Sequence, residues 1–484
     1  MTQQRDAALQ RPHQISCIKY LVSWRMVPPL PFEIWAQIAF CLSNVERERL
    51  FSVNKALYEI SMNSRYKTIR VRYPNNATVT KLRMLRDTVS VAGRVQDLEI
   101  CYRILEALWR ARSTRFRRLR NQFRRLSALF GKDPAALTSK SIASVQRLVL
   151  EAVNNMHGLR SVLFNLDPSD ALVERYLPMA GQVWSLLSGR VESLSIRILA
   201  RHTAMLHPTF RDVHGIKHLI NTSSKSLESL CLEMIFVSTS SLVHTMFARL
   251  HHFARLKRVA LSVYNTIGPD AAAFLNVHGE NIEELTISIC RIALGPAPVT
   301  IRTLRLPSLR KLSVAWNPFN WGDNLDNPFQ QIWADADLPM LDRIEISSPF
   351  MDVAHIALFC KTFRRPGGNR VRRLEVPCRT LNGESFDHLS DAFPNLHTLT
   401  LSTIFLSNPD RSAPSDWDIE SFDAEMAHRE YPAWTLYDLE ITPPTPLGMP
   451  ANFARPSYEA MCIAASHIPS VRSFSGRGHM DVLQ

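Results

Sequence analysis

One arrangement of apolar and polar residues returns along most of the chain: apolar, two polar, apolar, one polar, apolar. It reads VESLSI from residue 191, LESLCL from 227, LKRVAL from 256, IEELTI from 282, LRKLSV from 309, LDRIEI from 341, VRRLEV from 371, LHTLTL from 396 and LYDLEI from 436. Weaker copies are VQDLEI from 95 and VQRLVL from 145, and most starts lie 25 to 40 residues apart. The alternating second half of the motif has the period of a half-buried strand. Between copies lie stretches with helical spacing, such as SSLVHTMFARLHHFARL and DVAHIALFCKTFRR. A short strand and a helix per unit cannot bury an apolar face alone, so neighbouring units must stack on one continuous core with parallel strands. An ordinary α/β domain around one parallel sheet fits the same alternation. Recurrence of the strand motif itself, with no Gly-rich nucleotide loop after any copy, favours the solenoid.

The N-terminal part has a different pattern. Pro28-Pro29-Leu30-Pro31 gives an extended entry, and Pro31 suits the first position of a helix because its missing N–H costs nothing there. Ile34, Ile38 and Leu42 follow at spacing four, with Trp35 and Ala39 widening the stripe. Ser43 and Glu46 have the spacing of a capping box that starts a second helix carrying Leu50, Val53, Leu57 and Ile60. An αα-hairpin of this size is too small to bury a core unaided, so it needs a partner surface.

These residues resemble the F-box. The matching positions are Leu30, Pro31, Glu33, Ile34, Ile38, Leu42, Glu46, Leu50, Val53 and Leu57, in register and without gaps. VNKALYEI followed by RYKTIRVRY is similar in particular to fungal F-box proteins. The repeated motif resembles the long, irregular leucine-rich repeats found in many F-box proteins, and Asn317 after LRKLSVAW matches the family's turn Asn. The resemblance implies an α/β fold: an N-terminal F-box helical hairpin module followed by an irregular leucine-rich-repeat-like solenoid with parallel strands. The expected division is a flexible tail over 1–26, the F-box over 27–73, a helical linker with a basic amphipathic helix over 74–140, and the repeat domain over 141–484. It further implies a substrate receptor of a Skp-cullin-F-box ubiquitin ligase. Leu30, Pro31, Ile34, Ile38, Leu42, Leu50, Val53 and Leu57 would bind the Skp-family adaptor and through it the cullin, while the repeats bind a protein substrate.

Polar positions around the last two apolar residues of the strand motif point away from the core. In the later copies they are Lys311 and Ser313, Arg343 and Glu345, Arg373 and Glu375, then Thr398 and Thr400, rows that neighbouring parallel strands would bring together as an Arg/Glu ladder. Lys311, Arg343, Glu345, Arg373 and Glu375, with Trp316 at the end of one strand, are the candidate substrate-binding residues. As a solvated charge network the same residues need no partner. Residues 316–339 join Trp316, Phe319, Trp321, Phe329 and Trp333 with four Asp, and exposed aromatics are good interface anchors. Residues 407–434 hold seven acids against two Arg and read as a long irregular insertion.

The net charge of +13 changes this picture at one place, since residues 103–132 hold nine Arg and Lys132 against Glu106. Apolar residues 105, 109, 116, 119, 123, 126 and 130 make that stretch an amphipathic helix, packed on a core or available to nucleic acid or an anionic membrane. No aromatic base-stacking motif or zinc site supports nucleic-acid binding, which is not expected. Eight Cys without C-x-x-C spacing read as reduced core thiols. MTQQRDAALQRPHQ has no signal-peptide core, and no apolar run reaches the ~18 residues of a membrane span, so a cytoplasmic or nuclear protein is expected. His244, His251 and His252 lack carboxylates at ligand spacing. No catalytic motif appears in proper context, so the expected chain is non-catalytic and needs no cofactor or metal. Besides the receptor, two readings stay open: a non-catalytic repeat scaffold without a ligase role, and a nucleic-acid or membrane binder acting through residues 103–132.

Overall fold

The computed structural model describes residues 30–50, 54–72, 76–101, 134–166, 173–187, 189–199, 214–235, 247, 250–264, 267–290, 304–316, 333, 336–347, 350–364, 368–407, 417–443, 454–474 and 477–478. The chain divides into two compact units, Met1–Arg65 and Tyr66–Gln484. In the first, helix α1 spans Phe32–Cys41 and α2 spans Asn44–Leu50, while α3, Lys55–Tyr66, runs to the boundary. Pro31 stands at the cap of α1, where its carbonyl accepts from the Ile34 and Trp35 N–H groups at 3.1 and 3.3 Å. The capping box is reciprocal: Ser43 N–H donates to Glu46 Oε2 at 2.8 Å, and Glu46 N–H donates to Ser43 Oγ at 3.3 Å. The expected second helix is interrupted. Asn54 Oδ1 accepts the Leu57 N–H at 2.8 Å and so caps a separate α3, a turn signal hidden inside the apolar spacing of Leu50, Val53 and Leu57.

The second unit is built on one sheet whose strands follow chain order. They are β1 Thr68–Val71, β2 Asp97–Cys101, β3 Ser161–Leu166, β4 Ser193–Leu199, β5 Ser229–Ile235, β6 Arg258–Tyr264 and β7 Glu284–Cys290. Then come β8 Lys311–Trp316, β9 Arg343–Ser347, β10 Arg373–Leu381, β11 Thr398–Leu406, β12 Asp438–Thr442, β13 Ser473–Phe474 and β14 Arg477–Gly478. The first thirteen are parallel, and β14 alone turns back antiparallel on β13. Parallel neighbours need crossovers. Helices in those crossovers are α4 Asn76–Asp87, α5 Val89–Ala92, α6 Pro134–Asn154, α7 Val173–Leu187, α8 His214–Asn221 and α9 Pro269–Val277. Further along the chain are α10 Val353–Phe363, α11 Gly383–Ala392, α12 Ile419–Met426 and α13 Ala454–His467. Strands that pair strictly in sequence order are compatible with a solenoid-like arrangement, because each unit then adds to the edge left by the one before.

The six-residue motif accounts for this order. From β2 to β12 each strand begins at the third position of a copy of the motif, so the first, fourth and sixth residues turn inward. In the copy from Ile282, for example, Ile282, Leu285 and Ile287 are fully buried, and the same holds for Leu309, Leu312 and Val314 in the next. Removing one such Leu or Ile side chain to Ala typically costs about 2–5 kcal/mol. The second position of each motif does a separate job. Its carbonyl accepts two N–H groups from the next unit, as Glu283 O does from Arg310 and Lys311 at 2.8 and 3.0 Å, and this ladder runs unbroken from Lys67 to Tyr437. Close approach of successive units also uses glycine: a Cβ on Gly279 would lie 2.2 Å from Arg305 O, and one on Gly158 would lie 2.3 Å from Gly93 O.

Several expectations change. The copy from residue 145 is not a strand but part of α6, where Val145, Leu148, Val149, Ala152 and Val153 are buried at helical spacing. The strand in that region is β3, from LRSVLF at 159, and β1 comes from YKTIRV at 66, so the sheet starts before residue 141. Trp333 is not an exposed anchor: its side chain is fully buried, with its ring 6.4 Å from that of Phe363. Within 407–434, residues 419–426 form α12, capped by Asp418, whose carboxylate accepts the Ser421 N–H at 3.0 Å. Tyr431 and Trp434 are buried there, and the Trp434 indole N–H donates to Phe393 O at 2.9 Å, so the acidic stretch is packed structure over that part.

Candidate functional site

Two surfaces are built by residues that the sequence singles out. On the first unit, Leu30, Ile34 and Ile38 are exposed, Leu42 and Leu50 are half-buried, and Pro31 is exposed at the helix cap. Leu57 is buried and serves packing, while Val53 lies outside the described residues. Phe32, Phe40 and Val45 are also exposed, Phe40 at 88%. They escaped the spacing argument because Phe40 lies off the stripe of Ile34, Ile38 and Leu42, and a side chain off the apolar stripe is ordinarily polar. An apolar set this dense on two adjoining short helices is unusual for a surface that meets only water.

The second surface is the open face of the sheet. Lys311, Arg343 and Arg373 stand in register on β8, β9 and β10, and Ser313, Glu345 and Glu375 form the next row. Glu345 is the centre. Lys311 Nζ lies 2.8 Å from Glu345 Oε2, Ser313 Oγ donates to the same oxygen at 2.8 Å, and Arg343 pairs with the other oxygen. Burial pushes the Glu345 carboxyl up, but the Lys311 and Ser313 hydrogen bonds and the Arg343 charge outweigh it and hold it below the usual Glu value. The expected ladder stops there, because Arg373 and Glu375 are exposed and make no ion pair among the described residues. Trp316 closes β8, with its side chain outside the described residues.

A further polar cluster crosses β1 to β5. Arg72 makes a two-pronged pair with Glu99 at 2.9 and 3.1 Å, Asn165 Nδ2 donates to Glu99 at 3.0 Å, and Arg197 pairs with Glu233. Its residues come from five separated segments, so only the strand register brings them together. Burial pushes the neighbouring Cys231 thiol up to about 11, which keeps it protonated and a poor nucleophile at neutral pH. Residues 103–132, Asn317, His244 and most of the aromatic insertion at 316–339 lie outside the described residues, and His251 and His252 are exposed in a connection rather than on a helix. Among the described residues there is no group of three side chains placed to hold a metal, and no helix long and apolar enough to cross a membrane. No protein-family model matches the chain, and no curated protein matches it significantly.

Proposed function

We propose that the protein is a substrate receptor of a Skp-cullin-F-box ubiquitin ligase, its N-terminal helices forming an F-box and its second unit an irregular leucine-rich-repeat domain. The observation that supports this reading most is the exposure of Leu30, Ile34 and Ile38, the residues that the F-box resemblance assigns to the adaptor, on the unit that ends at Arg65. An apolar helical stripe laid against a partner's groove is a recurring mode of recognition. The receptor itself needs no nucleophile, since holding a substrate near a charged conjugating enzyme supplies proximity and orientation. Lys311, Arg343, Glu345, Arg373 and Glu375 would then meet a protein substrate. Truncating a central apolar anchor typically costs upwards of ~2 kcal/mol, about thirtyfold in affinity. Pro31→Ala with Ile34→Ala should therefore abolish co-purification with a Skp-family adaptor while circular dichroism stays unchanged. Undiminished recovery of the adaptor by the folded variant would leave a repeat scaffold without a ligase role.

A further inference from the structure

The strand-starting edge of the sheet carries a groove that belongs neither to the N-terminal helices nor to the Glu345 cluster. Its floor is the second position of successive motifs. Arg310, Asp342, Arg372 and His397 are stacked by the backbone ladder, Asp342 N–H on Arg310 O at 2.9 Å, Arg372 N–H on Asp342 O at 2.8 Å and His397 N–H on Arg372 O at 2.8 Å. The groove has a volume of about 1040 Å³, and Arg370 and Arg373 line it as well. Four guanidinium groups thus face one carboxylate, and guanidinium stays charged at any pH the fold experiences.

An adjoining hollow of about 220 Å³ shares Arg310 and Met340 with this groove and sets the contrast. There the charges are already neutralised, Lys257 by Glu283 at 3.5 Å and Arg255 by Glu228. In the larger groove Arg310, Arg372 and Arg373 make no ion pair among the described residues. Part of the rim is held in place: Arg370 donates to Pro339 O, and Asn395 Nδ2 donates to Asn369 O at 2.7 Å. The lining runs from Arg310 to Thr435, across the starts of five neighbouring strands, β8 to β12. At roughly 4.8 Å per strand that is about 19 Å, the length of about six residues of extended chain.

We propose that this edge binds an acidic, extended segment of another polypeptide. A peptide can set its carboxylates against Arg310 and Arg372 and leave a neutral residue over Asp342, whereas a nucleic-acid strand brings a phosphate at every step and meets Asp342 with like charge. The inference stands apart from the adaptor reading, since it concerns the second unit alone and is measured without the adaptor. The probe is a fluorescein-labelled octapeptide of alternating Glu and Ala, titrated with the full chain and followed by fluorescence anisotropy. Arg310→Gln with Arg372→Gln should weaken binding about tenfold or more, since two charge-assisted contacts are lost. Arg255→Gln with Lys257→Gln, in the neutralised hollow, should change it by less than about twofold. Asp342→Asn should tighten binding a few-fold, a gain that no misfolded variant would show. Absence of peptide binding, equal losses from the two double variants, weaker binding by Asp342→Asn, or displacement of the peptide by a lower concentration of a thymidine octanucleotide would each overturn the proposal.

Discussion

His278 should make the stability of the region around β6 and α9 depend on pH. The residue is the C-cap that follows α9 and is 1% exposed. Its Nδ1 lies 2.8 Å from Phe274 O, which can only accept, and its Nε2 lies 2.9 Å from the Phe253 N–H, which can only donate. Those two partners fix the neutral tautomer with the proton on Nδ1. A second proton on Nε2 would face the Phe253 N–H and break that bond. Burial pushes the His278 pKa below its usual 6.5; the Phe274 bond opposes this in part, and the His252 charge adds to it. A folded pKa below the unfolded one means that the stabilisation is complete above 6.5 and is lost as pH falls through the folded value, by up to about 1.4 kcal/mol per pH unit. His278→Ala leaves a buried N–H unpaired, about 1–3 kcal/mol, and removes ring contacts to Phe253 and Phe274 worth about 1 kcal/mol more. Amide exchange at Phe253 should accelerate by roughly 5–150-fold at neutral pH from the lost bond alone. Urea midpoints measured from about pH 7.5 to about pH 5.5 should fall more steeply for the parent than for His278→Ala. Parallel slopes, or unchanged exchange at Phe253, would refute the assignment.

Two further substitutions test the packing between units and the charged face. Gly279→Ala places a Cβ 2.2 Å from Arg305 O and should cost on the order of 1–3 kcal/mol, whereas Gly181→Ala in α7, with nothing within 4 Å, should gain up to about 1 kcal/mol; thermal unfolding compares the two. Glu345→Gln should lower the thermal midpoint above the ordinary carboxylate pKa of 4.5 and flatten its decline below that pH, because a carboxyl held down in the fold gives its stabilisation only while ionised.

The sheet was legible because each unit repeats one short code, three inward apolar residues around a polar pair and a polar single. The code is not exclusive to strands. Val145 and Leu148 satisfy both a strand motif and a helical stripe, and only the longer run of helical spacing through Val149, Ala152 and Val153 separates them. The start of β3 at Ser161 is hidden for the opposite reason, because its fifth position holds Leu163 where the copies that form strands β2 and β4 to β12 hold polar or small residues. Composition misled at Trp333 and Trp434: the first read as an exposed interface anchor and the second as part of a long irregular insertion, while both indoles are buried. Individual anchors of the first unit were legible as a stripe, but the burial of Leu57 and the exposure of Phe40 follow from the break at Asn54 and from which helix faces are covered. The cationic edge was the least legible part, since Arg310, Arg372 and His397 become neighbours only through the register of the backbone ladder.

The claim on which the functional account turns is adaptor binding by the exposed apolar stripe. Isothermal titration of the full chain with a purified Skp-family adaptor tests it most directly. The account predicts one-to-one binding that Pro31→Ala with Ile34→Ala weakens about thirtyfold or more. It predicts no change in that affinity from Arg310→Gln with Arg372→Gln, which lie in the second unit. Absence of heat with the folded parent chain, or equal affinity for the parent and the Pro31/Ile34 variant, would contradict it.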